Sequence, residues 1–163
     1  MARPIPEGFH TVTPHLTIRE CEKALAFYEK AFGAQVLEKS PGPSGKIMHA
    51  LVKIGDSVLM MADEFPEMGE GPSSSPKTLG GTSVTLNIYC PDADAWYDRA
   101  VKAGAEARMP PADMFWGDRY SQVRDPFGHS WAIATRQEDL TGEQMAERAN
   151  KWMAEFAAQP PTT

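Results

Sequence analysis

The chain has 163 residues, which is enough for one ordinary domain or for two small modules that share a core. A net charge of −6 and a pI near 5.2 disfavour nucleic acid as the main partner, because binding to phosphates relies on a basic surface. No apolar run is long enough to predict a membrane span, and two cysteines with no recognisable secretory signal lead us to expect a cytoplasmic protein without a disulfide framework.

The apolar pattern of the first half of the chain predicts a strand, a helix and then two further strands, at residues 10–18, 24–35, 46–54 and 57–63. The first strand alternates apolar and polar side chains, with Thr13 and His15 on the polar face. The helix carries the adjacent aromatic residues Phe27 and Tyr28 and is predicted to end at Gly33. This half therefore has the pattern of a small sheet covered by one helix.

The second half repeats this order, at residues 83–90, 92–106, 119–125 and 129–135. Its first strand places Thr85 and Asn87 on the polar face, and its helix again carries an aromatic pair, Trp96 and Tyr97. Residues 109–121 interrupt the pattern and are interpreted as an irregular loop with aromatic and charged side chains.

These patterns predict an α+β protein of two strand-helix-strand modules with curved, mostly antiparallel sheets around a cavity, followed by a C-terminal helix. The Gly-, Pro- and Ser-rich segment between the modules is predicted to be a linker or a flap. The terminal helix has an apolar stripe that we expect to dock on its own subunit or on a second one. The predicted boundaries are 9–65 and 82–136 for the modules, 66–81 for the linker and 140–158 for the helix.

The polar faces of the first strands either line a wet cavity or face bulk solvent, and both interpretations are open. Trp116 and Tyr120 are interpreted as a stacking wall for a flat ligand or as a lid over hydrophobic surface. Arg119 is placed to bind a carboxylate or phosphate, or to form an ion pair with Asp113 or Asp118. Met60 suits an adaptable apolar pocket or plain core packing.

Four motifs taken together resemble those of the vicinal-oxygen-chelate superfamily of glyoxalases, bleomycin-resistance proteins and dioxygenases, in its PhnB-like branch: FYEKAFGA, IGDS, WGDRY and DPFGHSW. The longer segments that contain these motifs span most of residues 11 to 135. The resemblance implies paired βαβββ modules, a homodimer, and a cavity in each curved sheet. It also implies a small-molecule ligand, while the acidic charge and the lack of a long apolar run predict neither a nucleic acid nor a membrane as partner.

Metal-dependent members of this superfamily hold a divalent cation with His or Glu ligands on equivalent strands. The resemblance places the corresponding positions at Thr13, Met60, Thr85 and Ala132. None of these side chains is a good ligand for a hard divalent metal. The sequence thus predicts a protein that binds a small organic molecule without the usual metal cofactor, through Thr13, His15, Met60, Thr85, Asn87, Trp116, Arg119, Tyr120 and Ala132.

Two alternatives are open at this point. The first is a divalent-metal-dependent lyase, isomerase or dioxygenase with an unconventional ligand set that includes His15, with His49, Asp63 and Glu64 as nearby donors. The second is a metal-free enzyme in which His15 or Tyr120 acts as a general acid or base. The sequence does not identify the ligand.

Overall fold

The computed structural model describes residues 2–42, 44–68 and 74–158. The first half forms one four-stranded sheet and a helix, with the bounds β1 (His15–Ile18), α1 (Cys21–Phe32), β2 (Gln35–Pro41), β3 (Ile47–Ile54) and β4 (Ser57–Asp63). The strand order is β1-β4-β3-β2, with β1 parallel to β4 and the other pairs antiparallel. A 3₁₀ turn at Pro66–Met68 and the short helix α2 (Pro76–Leu79) lie in the connecting segment, whose residues 69–73 are outside the described part.

The second half repeats the arrangement, with the bounds β5 (Thr85–Tyr89), α3 (Ala93–Ala103), β6 (Glu106–Asp113), β7 (Asp118–Arg124) and β8 (Ser130–Arg136). Its strand order, β5-β8-β7-β6, is that of the first sheet, and β5 is again parallel to β8. The predicted α+β class and the two βαβββ modules are therefore confirmed, as curved sheets that do not close into a barrel.

Helix α1 begins without a local capping side chain. Glu20, the residue before the helix, has a left-handed backbone with φ of 64° and accepts no capping hydrogen bond. Asp63 at the end of β4 supplies the missing acceptor: its Oδ1 accepts from the backbone N–H of Cys21 at 2.9 Å, and its Oδ2 accepts from that of Ile47 at 2.7 Å. One buried carboxylate thus fixes the first turn of α1 and the start of β3.

The two modules share one hydrophobic core, formed where α1 packs beside α3. Tyr28 and Phe32 of α1 pack against the ring of Trp131 in β8, at centroid distances of 5.3 and 4.7 Å. The Tyr28 hydroxyl donates to Asp125 Oδ2 at 2.6 Å, so the first module is hydrogen-bonded to the second inside this core.

The terminal helix α4 (Gly142–Ala157) begins with the capping box of Thr141 and Gln144. None of its residues is fully buried; Met145, Arg148 and Ala149 are partly buried and the others are exposed. Its apolar stripe contacts its own chain where Trp152 packs on Phe115 at 5.5 Å between ring centroids. Met153 and Phe156 remain mostly exposed. Among the helices of the described residues, none is long and apolar enough to cross a membrane.

Candidate ligand-binding site

The second sheet has one face covered by α3 and one open face. Leu86 and Ile88 pack towards the core, so that Thr85, Asn87 and Tyr89 of β5 point to the open face. In the register of the sheet, Asn87 is next to Ala132, and Tyr89 is next to Ala134.

On the other side of β8, Ala132 is paired with Gln122 and Ala134 with Tyr120. The central strand of the open face therefore presents two small side chains, and both neighbouring strands present taller ones. This arrangement leaves a trough along β8 that the taller neighbouring side chains fill, because Ala132 and Ala134 are only 1 % and 0 % exposed.

Tyr89 lies across this trough. Its hydroxyl donates to Asp118 Oδ2 on β7 at 2.9 Å, although β8 lies between the two strands. The hydrogen bond to Asp118, burial and the Asp118 charge raise the pKa of Tyr89, so that the hydroxyl stays protonated. The hydrogen bond fixes the hydroxyl end of the Tyr89 side chain, yet the residue is 62 % exposed. Its ring is therefore an immobilised aromatic surface that faces solvent.

Two further aromatic side chains continue this surface. Trp116 Nε1 donates to the same Asp118 oxygen at 3.2 Å, and the Trp116 ring packs edge-on against Tyr120 at 5.4 Å. Gln122 Nε2 donates to the Tyr120 hydroxyl at 2.8 Å. We call the set of Tyr89, Trp116 and Tyr120 the aromatic platform.

Arg124 is the cation at the other end of the same face. It has the same strand parity as Tyr120 and Gln122 and is paired in register with Ser130, which is the neighbour of Thr85. Its register neighbour on β6 is Glu106, but that carboxylate pairs with Arg108, so Arg124 forms no ion pair among the described residues, and its buried Nε has no hydrogen-bond partner. It lies four positions along the strand from Tyr120, a distance of roughly 13 Å.

Arg119, by contrast, lies on the opposite face of β7. Its guanidinium forms two hydrogen bonds of 2.8 Å to Asp94 on α3 and a third of 3.3 Å to Asp113. Of the two ion-pair partners considered from the sequence, the structure uses Asp113, whereas Asp118 is bound to Tyr89 and Trp116. Arg119 and Tyr120 are therefore neighbours in sequence whose side chains lie on opposite faces of the sheet.

The open face of the first sheet carries the other predicted site residues. His15 is paired with Met60 on β4, and its ring lies edge-on to that of His49 at 6.4 Å. Burial lowers the pKa of His15, and the nearby His49 lowers it further. Thr13 precedes β1, and its hydroxyl donates to the carbonyl of His10 at 3.0 Å. The first sheet thus brings His15, Met60 and His49 together but leaves Thr13 in the preceding segment.

The residues at the superfamily's metal positions do not fit a hard divalent cation. The Thr13 hydroxyl is engaged locally, Met60 offers a thioether, and Ala132 has no donor atom. Within residues 2–42, 44–68 and 74–158, no three His, Cys, Asp or Glu side chains cluster as a metal site would require.

The acidic side chains considered as substitute ligands have structural roles. Both oxygens of Asp63 accept backbone N–H groups. Glu64 Oε2 accepts from Arg19, Ser75 and Thr78 at 2.8 to 3.1 Å, and this joins β4 to α2. Burial raises the pKa of Glu64, but these hydrogen bonds outweigh burial and lower it to about 2.

Three residues of this site were missed from the sequence as ligand-site residues: Tyr89, Asp118 and Arg124. Arg124 shares the parity of Tyr120 within the predicted strand 119–125, so alternation alone places it on the same face, whereas Asp118 needed the correct start of β7. The contact of Tyr89 with Asp118 joins residues 29 positions apart and has no local signal in the sequence.

Comparison with known proteins agrees with this fold. The chain is 43% identical over 122 residues to protein Rv0887c of Mycobacterium tuberculosis, which covers 75% of this chain and 72% of the relative. Among solved structures, TioX from Micromonospora sp. ML1 aligns with a TM-score of 0.60 and 25% identity over 81% of this chain and 100% of its own. A gene product of Arabidopsis thaliana aligns with a TM-score of 0.63 and 27% identity over 77% of this chain and 98% of its own.

A family model gives the assignment. Residues 8–133 match the model of the Glyoxalase/Bleomycin resistance protein/Dioxygenase superfamily. This range contains both four-stranded sheets except for the last three residues of β8. The chain belongs to the glyoxalase/bleomycin resistance protein/dioxygenase superfamily.

Proposed function

We propose that this protein binds a flat, anionic organic molecule, without covalent change, on the open face of its second sheet. The observation that carries the proposal is the tethered Tyr89, a mostly exposed aromatic side chain held across β8 by its hydrogen bond to Asp118. An aromatic surface that is already fixed loses little conformational entropy when a flat ligand stacks on it. Such a surface favours binding over a purely structural role.

The remaining side chains of the face determine what the ligand would be. Asn87 is exposed beside Tyr89 and offers an amide to a polar substituent. Arg124 has no acidic partner among the described residues, and its guanidinium suits a carboxylate or phosphate at the far end of the ligand. A separation of roughly 13 Å along the strand fits a molecule of two or three fused or linked rings.

The binding test uses 2-naphthoate and its neutral analogue 2-naphthamide, followed by Trp fluorescence and calorimetry. We expect 2-naphthoate to bind about tenfold more tightly than 2-naphthamide because only the carboxylate pairs with Arg124. Tyr89→Ala should weaken both ligands, and Arg124→Met should abolish the preference for the anion. Lys102→Met, which removes a positive charge from α3 on the covered side of the sheet, should leave both affinities unchanged.

Three results would count against this proposal. They are failure of both probes to bind, an unchanged preference for the anion in Arg124→Met, and equal loss of that preference in Lys102→Met. The last result would mean that net charge, and not the position of Arg124, attracts the ligand.

We further propose that the protein acts as a cytoplasmic homodimer. The support is the apolar stripe of α4, where Trp152, Met153 and Phe156 are largely exposed, together with two open sheet faces that a second copy could cover. Light scattering should give a mass twice the 17.9 kDa of the chain. A single-chain mass at micromolar concentration would contradict the dimer and leave the ligand proposal to be judged by its own test.

One observation favours a second candidate function, a metal-dependent enzyme. His15 and His49 place two imidazoles 6.4 Å apart between ring centroids on the open face of the first sheet. Elemental mass spectrometry of untagged protein, before and after dialysis against a chelator, separates the two functions. Metal close to one per chain that is lost in His15→Ala would favour the enzyme, whereas the binding proposal expects metal far below that level in both proteins.

A further inference from the structure

The open face of the first sheet brings two imidazoles and one thioether together. His15 of β1 is paired in register with Met60 of β4, so the two side chains lie side by side on the same face. On the other side of β4, Leu51 of β3 is paired with Met60, and His49 lies two residues before Leu51, diagonally across from Met60. We call the set of His15, Met60 and His49 the histidine–methionine cluster.

The three side chains of this cluster point away from the core. Their neighbours in sequence belong to the hydrophobic core: Leu16, Ala50 and Met61. His15 is exposed, and His49 and Met60 are half-buried. No hydrogen bond from the described part of the chain engages the His15 ring. The cluster is therefore open to a solute that approaches this face of the sheet.

The separation of the two rings fits one ion between them. Strand β4 lies between β1 and β3, so the backbones that carry the two histidines are roughly 10 Å apart. The ring centroids of His15 and His49 are nevertheless only 6.4 Å apart. Two imidazoles on opposite sides of one ion, each with a metal–nitrogen bond of about 2 Å, have centroids roughly 6 to 6.5 Å apart. The rings thus already have the spacing of a pair that shares an ion, and ring rotation directs one nitrogen of each towards it.

The donor atoms select the kind of ion. Two imidazoles and a thioether supply no negative charge, and within residues 2–42, 44–68 and 74–158 no third His, Cys, Asp or Glu side chain joins the two histidines. Hard divalent cations prefer carboxylate, carbonyl and water oxygens. Thioether sulfur is a soft ligand that favours Cu(I), and imidazole suits copper as well. A soft ion with a single charge therefore matches this donor set.

We propose that the histidine–methionine cluster is a binding site for a soft monovalent metal ion, Cu(I), held by the imidazoles of His15 and His49 with the Met60 sulfur as third ligand. The site goes beyond both functions proposed above. The flat ligand would bind to the second sheet, which contributes no residue to this cluster, and the metal-dependent enzyme would use a divalent cation.

The test titrates Cu(I) without oxygen into metal-free protein, in competition with the chromogenic chelator bicinchoninate. Ag(I), which resembles Cu(I) but is not oxidised, is added in parallel to protein with ¹³C-labelled methionine methyl groups. We expect saturation at one Cu(I) per chain and a shift of the Met60 methyl signal with Ag(I). Met60→Leu nearly conserves the side-chain volume and should weaken Cu(I) binding by about tenfold while Zn(II) binding stays unchanged. Met114→Leu removes a thioether from the second module and should change neither affinity.

The thiols of the chain require their own control, because thiolates also bind soft ions. Cys21 is buried, and burial together with the charges of Asp63 and Glu22 raises the pKa of its thiol to about 12, which disfavours the thiolate. Cys90 is only half-buried. The titration is therefore repeated in Cys90→Ala, which should retain the Cu(I) affinity and the Met60 shift.

Four results would overturn the proposal. They are an absent Met60 methyl shift with Ag(I), an unchanged Cu(I) affinity in Met60→Leu, loss of Cu(I) binding in Cys90→Ala, and Zn(II) binding as tight as that of Cu(I). The last result would identify a divalent site and favour the metal-dependent enzyme. The methyl shift is measured on the wild-type protein, so the proposal stays testable even if a variant fails to fold.

Discussion

Replacement of Asp125 by alanine should lower the free energy of unfolding by about 3–5 kcal/mol, the range seen when one partner of a buried charged network is removed. Asp125 is 3 % exposed and accepts hydrogen bonds from four buried donors. They are the Tyr28 hydroxyl, Trp131 Nε1, and the backbone N–H groups of Phe127 and His129, at 2.6 to 2.9 Å. Alanine would leave all four donors without a partner in the shared core.

Chemical denaturation followed by Trp fluorescence measures this loss. Tyr28→Phe removes only one of the four donors and is expected to cost about 1–2 kcal/mol. Asp139→Ala removes an exposed carboxylate whose ion pair with Arg136 is screened by solvent, so the stability should hardly change. If Asp125→Ala were no less stable than Asp139→Ala, the buried network would not hold the two modules together as described.

Replacement of Asp63 by alanine should cost about 2–4 kcal/mol, because two buried backbone N–H groups lose their acceptor. The loss should concentrate at the first turn of α1, since Glu20 provides no substitute cap. Hydrogen exchange should then accelerate in the first turn of α1 and at Ile47. Asp56→Ala, in the exposed turn between β3 and β4, serves as the control and should change the stability little.

The same variant separates a structural role for Asp63 from a role as metal ligand. If Asp63 caps α1, the stability difference between wild type and Asp63→Ala is the same with and without a chelator. A difference that disappears when the chelator destabilises the wild type would instead mean that Asp63 holds a metal. That result would favour a metal-dependent enzyme over a binding protein as the function.

The strands predicted from the sequence are those that have one buried face. The apolar and polar alternation located β3, β4, β5, β7 and β8 within a few residues, because one set of side chains in each packs against a helix or the core. Strands β2 and β6 were missed because none of their residues is fully buried, and a strand without a buried face has no alternation to detect.

The segment interpreted as an irregular loop, residues 109–121, was the least accurate prediction. Its first part belongs to β6 and its last part to β7. Pro110 and Pro111 argue against a strand in general, but β6 is the edge strand of its sheet, and an edge tolerates residues that cannot donate a hydrogen bond. The strand β1 was in turn predicted too long, because the segment around Thr13 forms a local turn to His10 before β1 begins.

The candidate site was predictable only where one strand carries several of its residues. Asn87 was placed on the correct open face from alternation alone, and so was its neighbour Thr85. Trp116 and Tyr120 are in contact, as a wall or a lid would require, but the link of Trp116 to Tyr89 through Asp118 depends on the pairing of three strands. Strand pairing of this kind is a tertiary property and has no signature within a short stretch of sequence.

The alanines of β8 divide the open face into positions that can vary and positions that cannot. A larger side chain at Ala134 would lift Tyr89 from the sheet and break its reach to Asp118, so the support of the platform tolerates little change. Asn87, on one side of Ala132, makes none of the hydrogen bonds that hold the platform, whereas Gln122 on the other side holds the Tyr120 hydroxyl. Ligand preference can therefore be altered by substitution at Asn87 while Tyr89, Ala134 and Asp118 keep the platform in place.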